Sequence, residues 1–154
     1  MGVELNPKFV QEVGNGFREK VALLKPLKEH FGQAMLEVVR DAVARQTREL
    51  WAELASREPD NRPETLVDLL WNRLCAPLGF EFTVERKPEG IQLHCTRCPI
   101  HDLARELDAL EWGFELHCAQ DPDIAAGFNP AISFRQTKWL MRGDDCCDHF
   151  YFRR

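Results

Sequence analysis

The sequence predicts an α+β fold: an N-terminal helical layer, then two β-hairpins that form an antiparallel sheet, with helices between them. Three observations carry that prediction. Through the first 78 residues, apolar side chains recur every three or four positions, which is the period of a helix with one buried face. At Phe80 the period drops to two, as in a half-buried strand. The alternation returns near the C-terminus on both sides of the turn "RGDD".

The elements follow in order. Residues 5–24 read as a short helix weakened by Gly14 and Gly16. From Leu27 to Leu54 the stripe of Leu27, Phe31, Met35, Val38, Val39, Ala42, Val43, Leu50, Trp51 and Leu54 predicts a long helix, with Pro26 in its first turn. "REPDNRPET" breaks the pattern. Asp60 or Asn61 is placed to cap the next helix, Pro63 to Leu74, which buries Leu66, Leu69, Leu70 and Leu74. "FEFTVER" (80–86) and "IQLHCTR" (91–97) alternate around the turn "KPEG" and form the first hairpin. "PIHDLARELDAL" is helical, with Ile100, Leu103, Leu107 and Leu110 on one side. A further helix spans 112–126 and stops at Gly127. "AISFRQTKWLM" and "CCDHFYFRR" form the second hairpin.

Residues 1–154 make one domain, long enough to bury a core. The net charge is −5 with both signs interspersed, so no basic stripe is available for a nucleic acid. The chain starts without the apolar core of a signal peptide and contains no membrane-length apolar run. A soluble, cytoplasmic protein with no membrane partner is expected. In a reducing compartment the six cysteines are not a disulfide framework; clustered thiols there are ligands or reactive groups. Trp139 and Phe150, as exposed hydrophobics, would serve a homo-oligomer.

Cys95 and Cys98 share the C-x-x-C spacing of zinc and iron–sulfur sites, but no second such pair follows. Cys98 also sits where a strand gives way to a helix, with Pro99 at the first helical position. Helix N–H groups there would lower its pKa and favour the nucleophilic thiolate. His94, His101, His117 and His149 are candidate bases. Asp121 caps a turn three residues after Cys118, and Asn129 follows a helix stop; either could face the same space. A third possibility is that the cysteines are small buried hydrophobes. The four tryptophans read as core or pocket wall.

The run "TRCP" and then "ALEWGFELHCAQDPDIAAGFNPAISFRQTKWLMRGDDCCDHFYF" resembles the L-2-amino-thiazoline-4-carboxylic acid hydrolase family. The elements that carry the resemblance are Thr96-Arg97-Cys98, Cys118 to Asp121, Gly127 to Pro130, the strand around Thr137, and Gly143 to Cys147-Asp148. They cover roughly residues 91–152; the N-terminal part is similar only in general character. The resemblance implies hydrolysis of a small cyclic amidine, in which water opens a thiazoline ring to give N-carbamoyl-L-cysteine, with cleavage at a C–N bond. It implies a site formed by Cys98, Cys118, Cys147 and Asp121, and it sets aside Cys75, Cys95 and Cys146. Two departures stand out. Gln136 replaces an arginine, leaving Arg135, which points to the opposite face, and Asn129 as substrate-binding candidates. His149 replaces an aromatic residue and adds a base or a ligand.

Two mechanisms use these residues. In one, Cys98 attacks the amidine carbon, Asp121 or His149 supplies a proton, and no cofactor is required. In the other, Cys98, Cys118 and Cys147, with Asp121 or His149, hold zinc, which activates water. The rival is a non-enzymatic domain that binds a small molecule as a sensor, with a cysteine-bound zinc keeping its pocket shut.

Overall fold

A computed structural model describes residues 4–153. Asn6 opens the first helix by accepting hydrogen bonds from the N–H groups of Lys8 and Phe9. Helix α1 (Pro7–Phe9) continues through the wide turns Val10–Gly14 into α2 (Asn15–Phe31). The N-terminal helix therefore runs on through Pro26, which lies inside it and not at the start of the next one. The break falls at Gly32, whose φ of 75° and ψ of −163° suit only glycine. Helix α3 (Ala34–Ala55) then covers the rest of the predicted long stripe.

Asp60 orders the next entry by accepting the N–H of Arg62 at 3.0 Å. Helix α4 (Pro63–Val67) widens into π-type turns over Asp68–Cys75 and closes with a tight turn at Ala76–Leu78. Leu66, Leu69, Leu70 and Trp71 are buried as the stripe requires, but Leu74 stays 42% exposed. The wide turns change the period of the stripe, rotating Leu74 outward and Cys75 inward.

Strands β1 (Glu81–Lys87), β2 (Gly90–Arg97), β3 (Ile132–Arg135) and β4 (Cys147–Arg153) form one antiparallel sheet in the order β1-β2-β4-β3. Helices α5 (Pro99–Glu106), α6 (Leu110–Leu116) and α7 (Asp121–Phe128) connect its halves. The helix predicted over 112–126 is two: His117, at φ −130° and ψ −63°, turns the chain between α6 and α7. Gly127 does not end α7 but lies within it, where a Cβ would meet the Arg48 carbonyl oxygen at 2.7 Å and Arg48 Cα at 2.8 Å. That glycine lets α7 lie directly on α3.

The second hairpin is shorter than its alternation suggests. Asp148 accepts the N–H groups of Thr137 (2.7 Å) and Lys138 (2.6 Å), and Asp144 accepts that of Trp139 (2.7 Å). Carboxylates thus take the donors that strand pairing would have used, and β3 stops at Arg135. The aspartates of this region are therefore structural partners as well as a turn.

Two apolar clusters result. One lies between the sheet and the α4 segment, α7 and Trp51; the other joins α1, α2, α5 and α6 with Leu36 of α3. Phe150 is only 5% exposed, beneath the Arg135 guanidinium (4.9 Å from the ring centre) and stacked on Phe152. Trp139 packs on Phe114 and Arg142. Neither is the free surface hydrophobe that its sequence context suggested. Among the described residues no helix is long and apolar enough to cross a membrane.

Candidate active site

The β2–β4 register aligns Ile91 with Tyr151, Leu93 with His149, and Cys95 with Cys147. Alternation puts all six on the face that meets the helices. Cys98 follows one residue after β2 ends, in extended conformation, as the residue that caps α5, with Pro99 behind it. The break at His117 turns Cys118 inward, and Asp121 opens α7 from the same side. The α4 segment contributes Trp71 and Cys75, four positions apart.

These elements line a cavity of about 170 Å³ between the two apolar clusters. Cys98, Cys118, Asp121, Cys147 and His149 all line it, as do His117, Cys75, Cys95, Trp71, Phe80 and Ile124. The structure thus brings together the five residues named as catalytic candidates from the sequence. It also returns Cys75 and Cys95 to the wall, although the resemblance had set them aside. The spacing of Trp71 and Cys75 was the available signal. Cys146 lies outside the wall. A larger open groove of about 440 Å³ passes Arg62, Arg86, Lys87 and Arg153, but no thiol or imidazole lines it.

Neither substrate-binding candidate reaches the cavity. Asn129 donates to the Asn61 carbonyl oxygen at 2.9 Å and accepts the Ala131 N–H at 2.9 Å, so its amide is spent on the turn after α7. Arg135 is exposed on the opposite face of the sheet, over Phe150. Of the other candidate bases, His101 lies against Asp102 (3.7 Å) and His94 pairs with Thr83 and Asp148 on the outer side of the sheet.

Burial dominates the electrostatics. It pushes Cys98 up to about 12, even though the N–H groups of His101 and Ile100 pull the other way. The thiolate that the helix N-terminus promised is therefore not the resting form: desolvation outweighs the dipole. Burial likewise pushes Cys147 up to about 11, and Cys75, Cys95 and Cys118 well above the ordinary thiol value. Cys95 donates to the Arg97 carbonyl oxygen at 3.2 Å, and Cys147 accepts the Leu140 N–H at 3.3 Å.

Asp121 and His149 are displaced in opposite directions by the same cause. Desolvation pushes the Asp121 carboxyl up to about 8 and lowers His149 to about 3. At neutral pH Asp121 holds its proton and His149 is an uncharged acceptor. The imidazole, 4% exposed, is packed against Trp71 (4.9 Å between ring centres) and Phe134 (5.6 Å). Its Nε2 lies 3.5 Å from Asp121 Oδ2, and neither ring nitrogen has a hydrogen-bond partner. A buried polar atom without a partner costs about 1–3 kcal/mol, which a bound molecule supplying hydrogen bonds would recover.

The zinc reading can be tested on the same side chains. Among the described residues, no three of the His, Cys, Asp and Glu side chains converge in an arrangement that would hold a metal ion.

The fold and cavity define a small α+β protein with thiols, a carboxyl and two imidazoles facing one cavity. The chain belongs to the L-2-amino-thiazoline-4-carboxylic acid hydrolase family, whose model matches residues 15–151. The match takes in the N-terminal helices, well beyond the segment whose motifs carried the resemblance. No curated protein and no solved structure matches the chain.

Proposed function

We propose that the cavity is the active site of a hydrolase that opens a small cyclic amidine ring, with Cys98 as nucleophile. The observation that carries this is the convergence of Cys98, a proton-holding Asp121 and an unpartnered neutral His149 on one cavity. Carboxyl and imidazole environments pushed apart in this way are how a site separates its acid from its base.

In the first step the Cys98 proton passes to His149 as Sγ bonds to the amidine carbon, while Asp121 protonates the amidine nitrogen. Because the resting thiol is neutral, deprotonation and attack must be concerted. For a thiazoline, the tetrahedral adduct then expels the ring sulfur, which takes the proton from His149. The enzyme is left with the opened chain on Cys98 through an S–C bond. Water adds to that carbon; one of its protons goes to Cys98, which leaves as a thiol, and the other returns to Asp121, so that the product is an N-carbamoyl aminothiol. The atom balance corrects one expectation: the ring bond that breaks is carbon–sulfur, and the ring C–N bond survives in the carbamoyl group.

The test is turnover of 2-amino-thiazoline rings by wild type and Cys98→Ser, with melting measured alongside. The reading expects at least about a 1,000-fold loss of rate with little change in melting, as for removal of a covalent nucleophile. Full turnover by Cys98→Ser overturns it.

A further inference from the structure

We propose that the cavity takes a cyclic amidine that carries no carboxylate. The proposal rests on the hydrolase reading for the identity of the reacting ring; the exclusion of the carboxylate comes from the wall itself. Among the described residues, no lysine or arginine lines the cavity. The polar groups that face it are thiols, Asp121, His117 and His149, and the residue proposed from the sequence as a cationic anchor, Arg135, lies on the other side of the sheet. A ring carboxylate would enter this space without a cationic partner. An unpaired buried charge is among the most unfavourable groups a site can hold, and Asp121, which keeps its proton, offers a hydrogen bond but no counter-charge.

An amidine fits the same wall well. It presents an N–H and a nitrogen lone pair side by side, the complement of a carboxyl group, and the two exchange paired hydrogen bonds whichever holds the proton. His149 Nε2, 3.5 Å from Asp121 Oδ2 and without a partner, is placed to accept a further N–H from the amino substituent. The Trp71 and Phe80 rings supply flat apolar surface, and also favour a cation if the amidine takes the proton. Size agrees: a cavity of about 170 Å³ has room for a five-membered ring with one amino group.

The experiment compares 2-amino-2-thiazoline with L-2-amino-thiazoline-4-carboxylate on the purified full chain, by calorimetric binding and by turnover. The expected result is at least about 10-fold tighter binding of the carboxylate-free ring, with the gap narrowed in Asp121→Asn. Equal or tighter binding of the carboxylate ring overturns the proposal, and if that ring is also opened the hydrolase reading survives alone. A binding preference for the carboxylate-free ring without turnover of either keeps the proposal and removes the hydrolase reading. Binding of neither ring overturns both.

Discussion

Replacing Asp121 with asparagine should change how stability depends on pH. The wild-type carboxyl moves from the ordinary value of 3.8 to about 8 on folding. A group whose folded pKa is raised stabilises fully below its unfolded pKa, and that contribution fades as pH rises through the folded one. The window is therefore pH 4 to 8. At 1.36 kcal/mol per pH unit, linkage gives a loss of about 4 kcal/mol from this carboxyl alone between pH 5 and pH 9. Entry of water into the cavity would relieve part of that, so about 4 kcal/mol is the upper figure. A carboxamide at this position cannot ionise, and the variant should be the flatter of the two by up to that amount. Urea denaturation at pH 5, 7 and 9, read by tryptophan fluorescence, measures it. Parallel wild-type and variant curves would refute the claim that Asp121 keeps its proton at neutral pH.

Other consequences follow from neighbouring contacts. Gly127→Ala drives a Cβ to within 2.8 Å of the Arg48 backbone, where neither partner can swing away, and should cost about 1–3 kcal/mol in thermal or urea unfolding. Tyr151→Phe leaves the Trp71 Nε1–H without the hydroxyl it donates to at 3.1 Å, so a loss of about 1–3 kcal/mol is expected, with turnover measured to separate folding from chemistry. Alkylation at pH 7.5 followed by peptide mapping should label half-exposed Cys146 first and the cavity thiols, Cys98 included, only slowly. Rapid selective labelling of Cys98 would show that the helix N-terminus does outweigh burial.

Much of this architecture is legible in the sequence because periodicity is a local property. The switch from three-and-four spacing to alternation at Phe80 locates the sheet. The C-x-x-C run and the spaced Cys118, Asp121 and Cys147 locate the cavity wall. What escapes depends on partners distant in the chain. The wide turns that bring Cys75 inward, the break at His117 and the role of Gly127 are set by what α4, α6 and α7 pack against. Nothing local shows that Asp144 and Asp148 take the backbone donors of Thr137 to Trp139. The sign of the Cys98 shift depends on how deeply the helices bury it, and sequence position reports only the opposing dipole.

The central claim, that Cys98 forms a bond to the ring carbon, is tested most directly by acid-quenching wild-type protein with 2-amino-2-thiazoline within one turnover and mapping the adduct by mass spectrometry. Ring opening on the enzyme adds the full mass of the substrate, and the account predicts that mass on the peptide containing Cys98. Steady turnover with Cys98 unmodified, or the adduct on another cysteine, would contradict it.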